Sequence, residues 1–171
     1  MVIAFERSRW DEVKESYTRW WADDLNLPLL SIVYDGNDPG REKPAIPYHH
    51  FHSFYDLSVP AEEIIDAMDY GLSQQRFTGD AFPSVWPNFG PGVIAAFMGA
   101  ELRTSVESNT TWFHPTEDLP ACKLRLDDRY DGGNVWLNRI KDIYRAGAER
   151  WNGLVQMGMT DLGGNLDIVS S

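Results

Sequence analysis

Leu154-Val155-Gln156-Met157-Gly158-Met159-Thr160-Asp161-Leu162-Gly163-Gly164-Asn165-Leu166-Asp167-Ile168-Val169 is the stretch on which the fold turns. Its first six residues are short and apolar, as in a buried strand, and a glycine-bearing loop with two carboxylates follows. Immediately upstream, Trp136, Ile140, Ile143, Tyr144, Gly147 and Trp151 recur on one face of a helix, with Lys141, Asp142, Arg145 and Glu149 outside it. Asn152-Gly153 stops that helix, so the order here is helix, strand, polar loop.

The same order recurs toward the N-terminus. Ser8-Arg9-Trp10-Asp11 has the form of a capping box, and Trp10, Val13, Tyr17, Trp20 and Trp21 follow at helical spacing as a core-facing stripe. Leu29 to Tyr34 reads as a buried first strand closed by Asp35-Gly36, and the Pro- and Gly-marked stretch from Asn37 to Tyr48 as a loop. Pro60, Glu62 and Glu63 open a helix carrying Ile64, Ile65, Met68 and Leu72, expected to end near Phe77. Ala81 to Trp86 is the second expected strand, Pro87 to Gly92 a rigid loop, and Val93 to Met98 a short helix. Leu102 to Asp131 is the least periodic part, with Thr110-Thr111-Trp112-Phe113 and Lys123-Leu124-Arg125-Leu126 as short strands or extended loop. Strands separated by helices predict βαβ units and a parallel sheet within one domain spanning residues 1–171.

The chain has 171 residues, 43% of them hydrophobic, and a net charge of −11. That length and composition fit a globular domain with a real core. The acidic balance excludes a nucleic-acid binder, which needs clustered cations, and argues against an anionic membrane surface. Cys122 is the single cysteine, so no disulfide framework exists and a cytoplasmic, soluble protein is expected. No apolar run reaches the ~20 residues of a membrane span. His49, His50 and His52 invite a metal reading, but no carboxylate or cysteine stands at a familiar ligand spacing, and a solvated aromatic loop is the favoured expectation.

Trp86-Pro87-Asn88-Phe89-Gly90-Pro91-Gly92, taken with Met159 to Ile168, resembles the uroporphyrinogen decarboxylase superfamily, above all its decarboxylase-like branch akin to cobamide-dependent methyltransferases. The resemblance covers most of the chain but only the N-terminal portion of a family member. It implies a (β/α)8 TIM barrel, typically ~250 residues, of which this chain supplies about three parallel strands with flanking helices, an incomplete barrel. Asp35, Asn88 and Asp161 each follow an expected strand and would share the mouth at its C-terminal end. Asp161 is the candidate catalytic carboxylate; Asp35, Asn88, Phe89, Gly163, Asn165 and Asp167 are candidate substrate- or cofactor-binding residues. The structural alternatives are that Asp161 merely ends a strand, that Asn165 or Asp167 caps a helix, and that Gly163-Gly164 simply turns the chain.

The family's decarboxylases are implied to need an arginine-rich loop after the first strand and an aspartate after the second. Here those places hold Asp35-Gly36-Asn37-Asp38 and Asn88, which would repel a polyanionic tetrapyrrole and fail to balance its pyrrole N–H groups; Arg41 and Lys43 could substitute only in part. The methyltransferase branch is implied to use zinc, held by His and Cys of the C-terminal half, to activate a thiol that receives a methyl group, with a corrinoid as carrier. Cys122 does not match those ligands. The expected function is therefore a methyltransferase-like enzyme acting on a small molecule, with a corrinoid protein as partner; uroporphyrinogen decarboxylation is the alternative. A non-catalytic binding or assembly module, or an inactive fragment that pairs with another copy, is the competing class.

Overall fold

The computed structural model describes residues 3–115 and 131–164. Its architecture is mixed α/β, with three two-stranded sheets and no closed barrel among the described residues. The elements are α1 (Arg9–Trp21), β1 (Ser31–Asp35), a 3-10 turn (His52–Phe54), α2 (Ala61–Ser73), β2 (Gln75–Gly79), β3 (Ser84–Val85), α3 (Val93–Phe97), β4 (Glu101–Ser105), β5 (Thr110–His114), α4 (Val135–Trp151) and β6 (Gln156–Met157). The chain divides into two compact units. The first holds Met1–Tyr48, Glu62–Val85 and Gly147–Met157, the second His49–Ala61, Trp86–Ala146 and Gly158–Ser171.

In the first unit an aromatic cluster ties α1 to its surroundings. The Phe5 ring meets Trp10 at 5.5 Å and Phe77 at 6.1 Å edge-on, and Phe82 meets Trp10 at 5.0 Å and Tyr17 at 5.7 Å. Such pairs contribute about 0.5–1.5 kcal/mol each beyond the area they bury. Arg9 adds two hydrogen bonds, to the carbonyl oxygens of Phe77 (2.8 Å) and Gly79 (2.6 Å). Only Val13 of α1 is fully buried, and the helix outruns what it packs on: Trp20 and Trp21 are exposed, not core, and stack edge-on at 4.8 Å. Nor does Ser8 cap through its side chain, because its backbone is already helical (φ −60°, ψ −29°) and its hydroxyl makes no capping bond.

The helix expected to reach Phe77 ends at Ser73. Gly71 weakens its last turn, and Asn37 Nδ2 donates to the Ser73 carbonyl at 2.7 Å. Gln75 to Gly79 become β2, which pairs antiparallel with β1 in register Ser31↔Gly79 to Asp35↔Gln75 and also bridges Ala4 at Arg76. This corrects the expected first strand in two respects. It is antiparallel and outside the parallel pair, and it is exposed, because among the described residues it belongs to a two-stranded ribbon with no other strand beside it. The other two expected strands are parallel neighbours, β3 with β6 in register Ser84↔Gln156 and Val85↔Met157, though each is only two residues long.

A polar network closes this unit. Asp69, 1% exposed, accepts from Trp151 Nε1 at 2.8 Å, Arg150 at 3.0 Å and Arg41 at 3.3 Å. Arg41 and Arg150 also bond Asp66 at 3.0 Å each. Both arginines thus serve buried or half-buried carboxylates, the arrangement in which a buried charge is tolerated.

In the second unit β4 and β5 form a hairpin in register Glu101↔His114 to Ser105↔Thr110, turned with Asn109 left-handed at φ 48°. Asn134 caps α4: its Oδ1 accepts from the N–H groups of Trp136 and Leu137, both at 3.1 Å, and its Nδ2 donates to the Ala96 carbonyl at 2.9 Å.

Candidate functional site

The second unit gathers polar groups around Asn88. The Pro87-Asn88-Phe89-Gly90 backbone is buried, and Gly90 (φ 82°) and Gly92 (φ 80°) take left-handed conformations. Gly90 also lies so close to the Thr111 methyl that no Cβ fits. Asn88 Oδ1 accepts the Gly90 N–H at 3.0 Å, an Asx-type turn. With Oδ1 so assigned, Nδ2 donates outward to His50 Nε2 at 3.1 Å.

His52 is the second hub. Its N–H donates to the Asn88 carbonyl at 2.7 Å, and its Nδ1 accepts the Asn88 N–H at 2.8 Å. The ring proton therefore sits on Nε2, and among the described residues Nε2 has no hydrogen-bond partner. The imidazole is 2% exposed and lies against Phe89 and Tyr55, with ring centres 6.2 Å apart in both cases. Burial drives its pKa down to about 4, with the charges of His50 and Arg139 adding to the shift. At neutral pH His52 is an uncharged hydrogen-bond donor, not a cation. Ser53, its neighbour, donates to Thr111 Oγ1 at 3.2 Å. The expected solvated loop is thus corrected at His52 and Ser53, which are buried.

The third component follows β6. Thr160 Oγ1 donates to the Pro87 carbonyl at 2.6 Å and its N–H to Tyr144 Oη at 2.7 Å, while Tyr144 Oη donates to the Gly158 carbonyl at 2.8 Å. Partial burial raises the Tyr144 pKa, and the Thr160 bond pulls it back. The residue before Asp161 is consequently tied to the residue before Asn88. Asp161 itself is exposed, and its Oδ1 accepts the Gly163 N–H at 2.8 Å in a local turn.

Among the residues singled out from sequence, Asn88, Phe89, Asp161 and Gly163 belong to this unit. Phe89 is 0% exposed and packs edge-on against Trp136 at 6.2 Å, so it supports the loop from beneath. Asp35 belongs to the first unit, exposed at the end of β1. Asn165, Asp167 and Cys122 lie outside the described residues. Sequence reasoning weighed His52 only as a metal ligand, setting it aside for a solvated loop, and did not single out Thr160 or Tyr144 as site residues. The His-x-His spacing was the available signal for the first, while nothing in the sequence distinguishes Thr160 or Tyr144 from ordinary strand-end and helix residues. Arg41, weighed as a compensating cation for a polyanion, is engaged with Asp66 and Asp69.

No three His, Cys, Asp or Glu side chains come together to hold a metal among the described residues. Two clefts of about 660 and 490 Å³ lie in the first unit, one lined by Arg7, Trp10, Lys14 and Gln156, the other by Ile46, Glu62, Asp66 and Arg150; no singled-out site residue lines either. No helix among the described residues is long and apolar enough to cross a membrane. These hydrogen bonds tie the Asn88 loop to the Asp161 loop and to the His52 turn. No protein-family model, curated protein or solved structure matches the chain.

Proposed function

We propose that the chain is the N-terminal portion of a (β/α)8 barrel of the uroporphyrinogen decarboxylase superfamily. The parent enzyme moves a methyl group between a small methylated substrate, a corrinoid carrier and a thiol. One observation carries this reading: the parallel neighbours β3 and β6 are each followed by a polar loop, and Thr160 bonds Pro87, joining the loop of Asp161 to that of Asn88. Parallel strands joined through a crossover, with functional loops after their C-terminal ends, are what a barrel mouth requires.

In this reading Asp161 offers its free carboxylate oxygen to the ligand, Asn88 holds its loop rigid, and the Thr160–Tyr144 bonds fix the Asp161 backbone. Decarboxylation of a polyanionic tetrapyrrole is the weaker reading, because Arg41 is already paired and Asn88 is a neutral amide. Calorimetric titration of the chain with methylcobalamin and, separately, with uroporphyrin tests the choice. Saturable methylcobalamin binding, weakened about tenfold by Asp161→Ala through loss of a charged hydrogen bond, is expected. Uroporphyrin binding in its place transfers the assignment to the decarboxylase, and heat from neither ligand overturns the barrel-mouth reading.

A further inference from the structure

The side-chain amide of Asn88 has a fixed polarity. Its Oδ1 accepts the Gly90 N–H at 3.0 Å, which leaves the NH2 group to face His50 Nε2 at 3.1 Å. An NH2 group only donates, so His50 Nε2 is the acceptor, and the His50 ring is neutral with its proton on Nδ1. A second proton on that ring would occupy Nε2 and set donor against donor. Turning the amide over would restore the His50 bond, but it would point the NH2 group at the Gly90 N–H. A charged His50 therefore costs one of the two bonds whichever way the amide lies. Gly90 has little slack to make up the difference, since its backbone is left-handed at φ 82° and lies against the Thr111 methyl and the Phe51 ring. His50 is exposed to solvent protons, whereas Asn88 is 5% exposed, so the group that takes the proton is at the surface and the turn bond is inside.

We propose that the Asn88 amide is a proton-sensing relay: proton uptake by His50 turns the amide, breaks the Asn88–Gly90 bond and loosens the loop of residues 87–92. The direction follows from bond strength. A hydrogen bond from a charged imidazole to Oδ1 is about twice as strong as one from a neutral N–H, so the carbonyl end goes to His50 and Gly90 is the loser. The other titratable or charged groups around the relay are His49 and His52 of the same turn, Tyr55, and Arg139 of α4. The His49 N–H donates to Tyr55 Oη at 3.0 Å, Arg139 reaches the Asp56 carbonyl at 3.4 Å, and Asp161 on the adjoining loop turns Oδ1 to the Gly163 N–H. His52 has a pKa of about 4, so it stays uncharged in the folded chain over pH 8 to 5, the range in which histidine side chains commonly gain their charge. As control of ligand binding the relay rests on the barrel-mouth reading. As a property of the loop it does not, and its test needs no ligand.

Heteronuclear NMR of the intact chain between pH 8 and pH 5 is the test, following the His50 ring carbons and the Gly90 amide proton. As His50 takes its proton, the Gly90 amide should lose about fivefold in protection against hydrogen exchange, after correction for the pH dependence of exchange itself, and with the midpoint of the His50 ring. His50→Gln keeps an acceptor for the Asn88 NH2 group and cannot take up a proton in this range, so its Gly90 protection should stay level. Asn88→Asp has an oxygen at both ends and accepts from the Gly90 N–H and a charged His50 alike, so its Gly90 protection should hold or rise as the pH falls. If that variant fails to fold, His50→Gln, a change at an exposed position, decides the matter. Gly90 protection that is unmoved while His50 titrates, a pH response that survives in His50→Gln, or loss of protection in Asn88→Asp with the wild-type midpoint overturns the proposal.

Discussion

His52 couples the fold to pH in a definite direction. Its pKa of about 4 in the folded chain lies below the ordinary 6.5, so the unfolded chain binds a proton more readily, and stability rises with pH between the two values. The contribution is complete above about pH 6.5 and is lost as the pH falls toward 4, a swing of roughly 3 kcal/mol at 1.36 kcal/mol per unit. Denaturation with urea across that range should trace the slope. His52→Asn, whose Oδ1 can still accept from the Asn88 N–H, should flatten it. Asn88→Ala removes the Gly90 turn bond and the His50 contact, and should lower stability by about 1–2 kcal/mol in the same assay. The importance of Asn88 was legible, since an amide between prolines and glycines has few bland explanations. That of His52 was not, because burial is decided by Phe89 and Tyr55 folding over it, and nothing local in Tyr48-His49-His50-Phe51-His52 reveals that.

Periodicity read the helices well. α2 and α4 bury the stripes that the apolar spacing put there, α1 stands where expected although only Val13 of it is buried, and α2 stops at Ser73, short of Phe77. Strands fared less evenly. β3 and β6 are where expected and are parallel, whereas Gln75 to Phe77 was absorbed into a helix and Thr78 and Gly79 into its stop, since a five-residue strand beginning just after a helix end leaves little period of its own. Its pairing is decided by distant partners, Ser31 to Asp35 and Arg9. Gly79 marks the strand end with φ 68°, and a side chain there would collide with the Leu30 carbonyl, so Gly79→Ala should be destabilising in a thermal melt. Asp69 binds α2 to the end of α4 through Arg150 and Trp151; Asp69→Ala strands the Trp151 indole N–H and leaves both arginines with Asp66 alone, and a loss of about 1–3 kcal/mol is expected on denaturation.

For the whole molecule, a mixed α/β class followed from the alternation of helix and strand, but how the strands divide among sheets did not. Among the described residues, the β1–β2 and β3–β6 sheets arise from long-range pairings that no window of sequence contains, and only the β4–β5 hairpin is local. The net charge of −11 disfavours the compact state through self-repulsion, so moderate sodium chloride should raise the melting temperature by a few degrees, and arginine-to-glutamine changes at the surface should lower it. The two compact units are interleaved along the chain, which passes between them at residues 48–49, 61–62, 85–86, 146–147 and 157–158. Neither can be cloned as a contiguous piece. Any single truncation point inside the chain cuts into the membership of one unit or both, so dissection by deletion is a poor route to the Asn88 loop. Point substitution, or permutation that rejoins the termini, keeps all three stretches of each unit on one polypeptide.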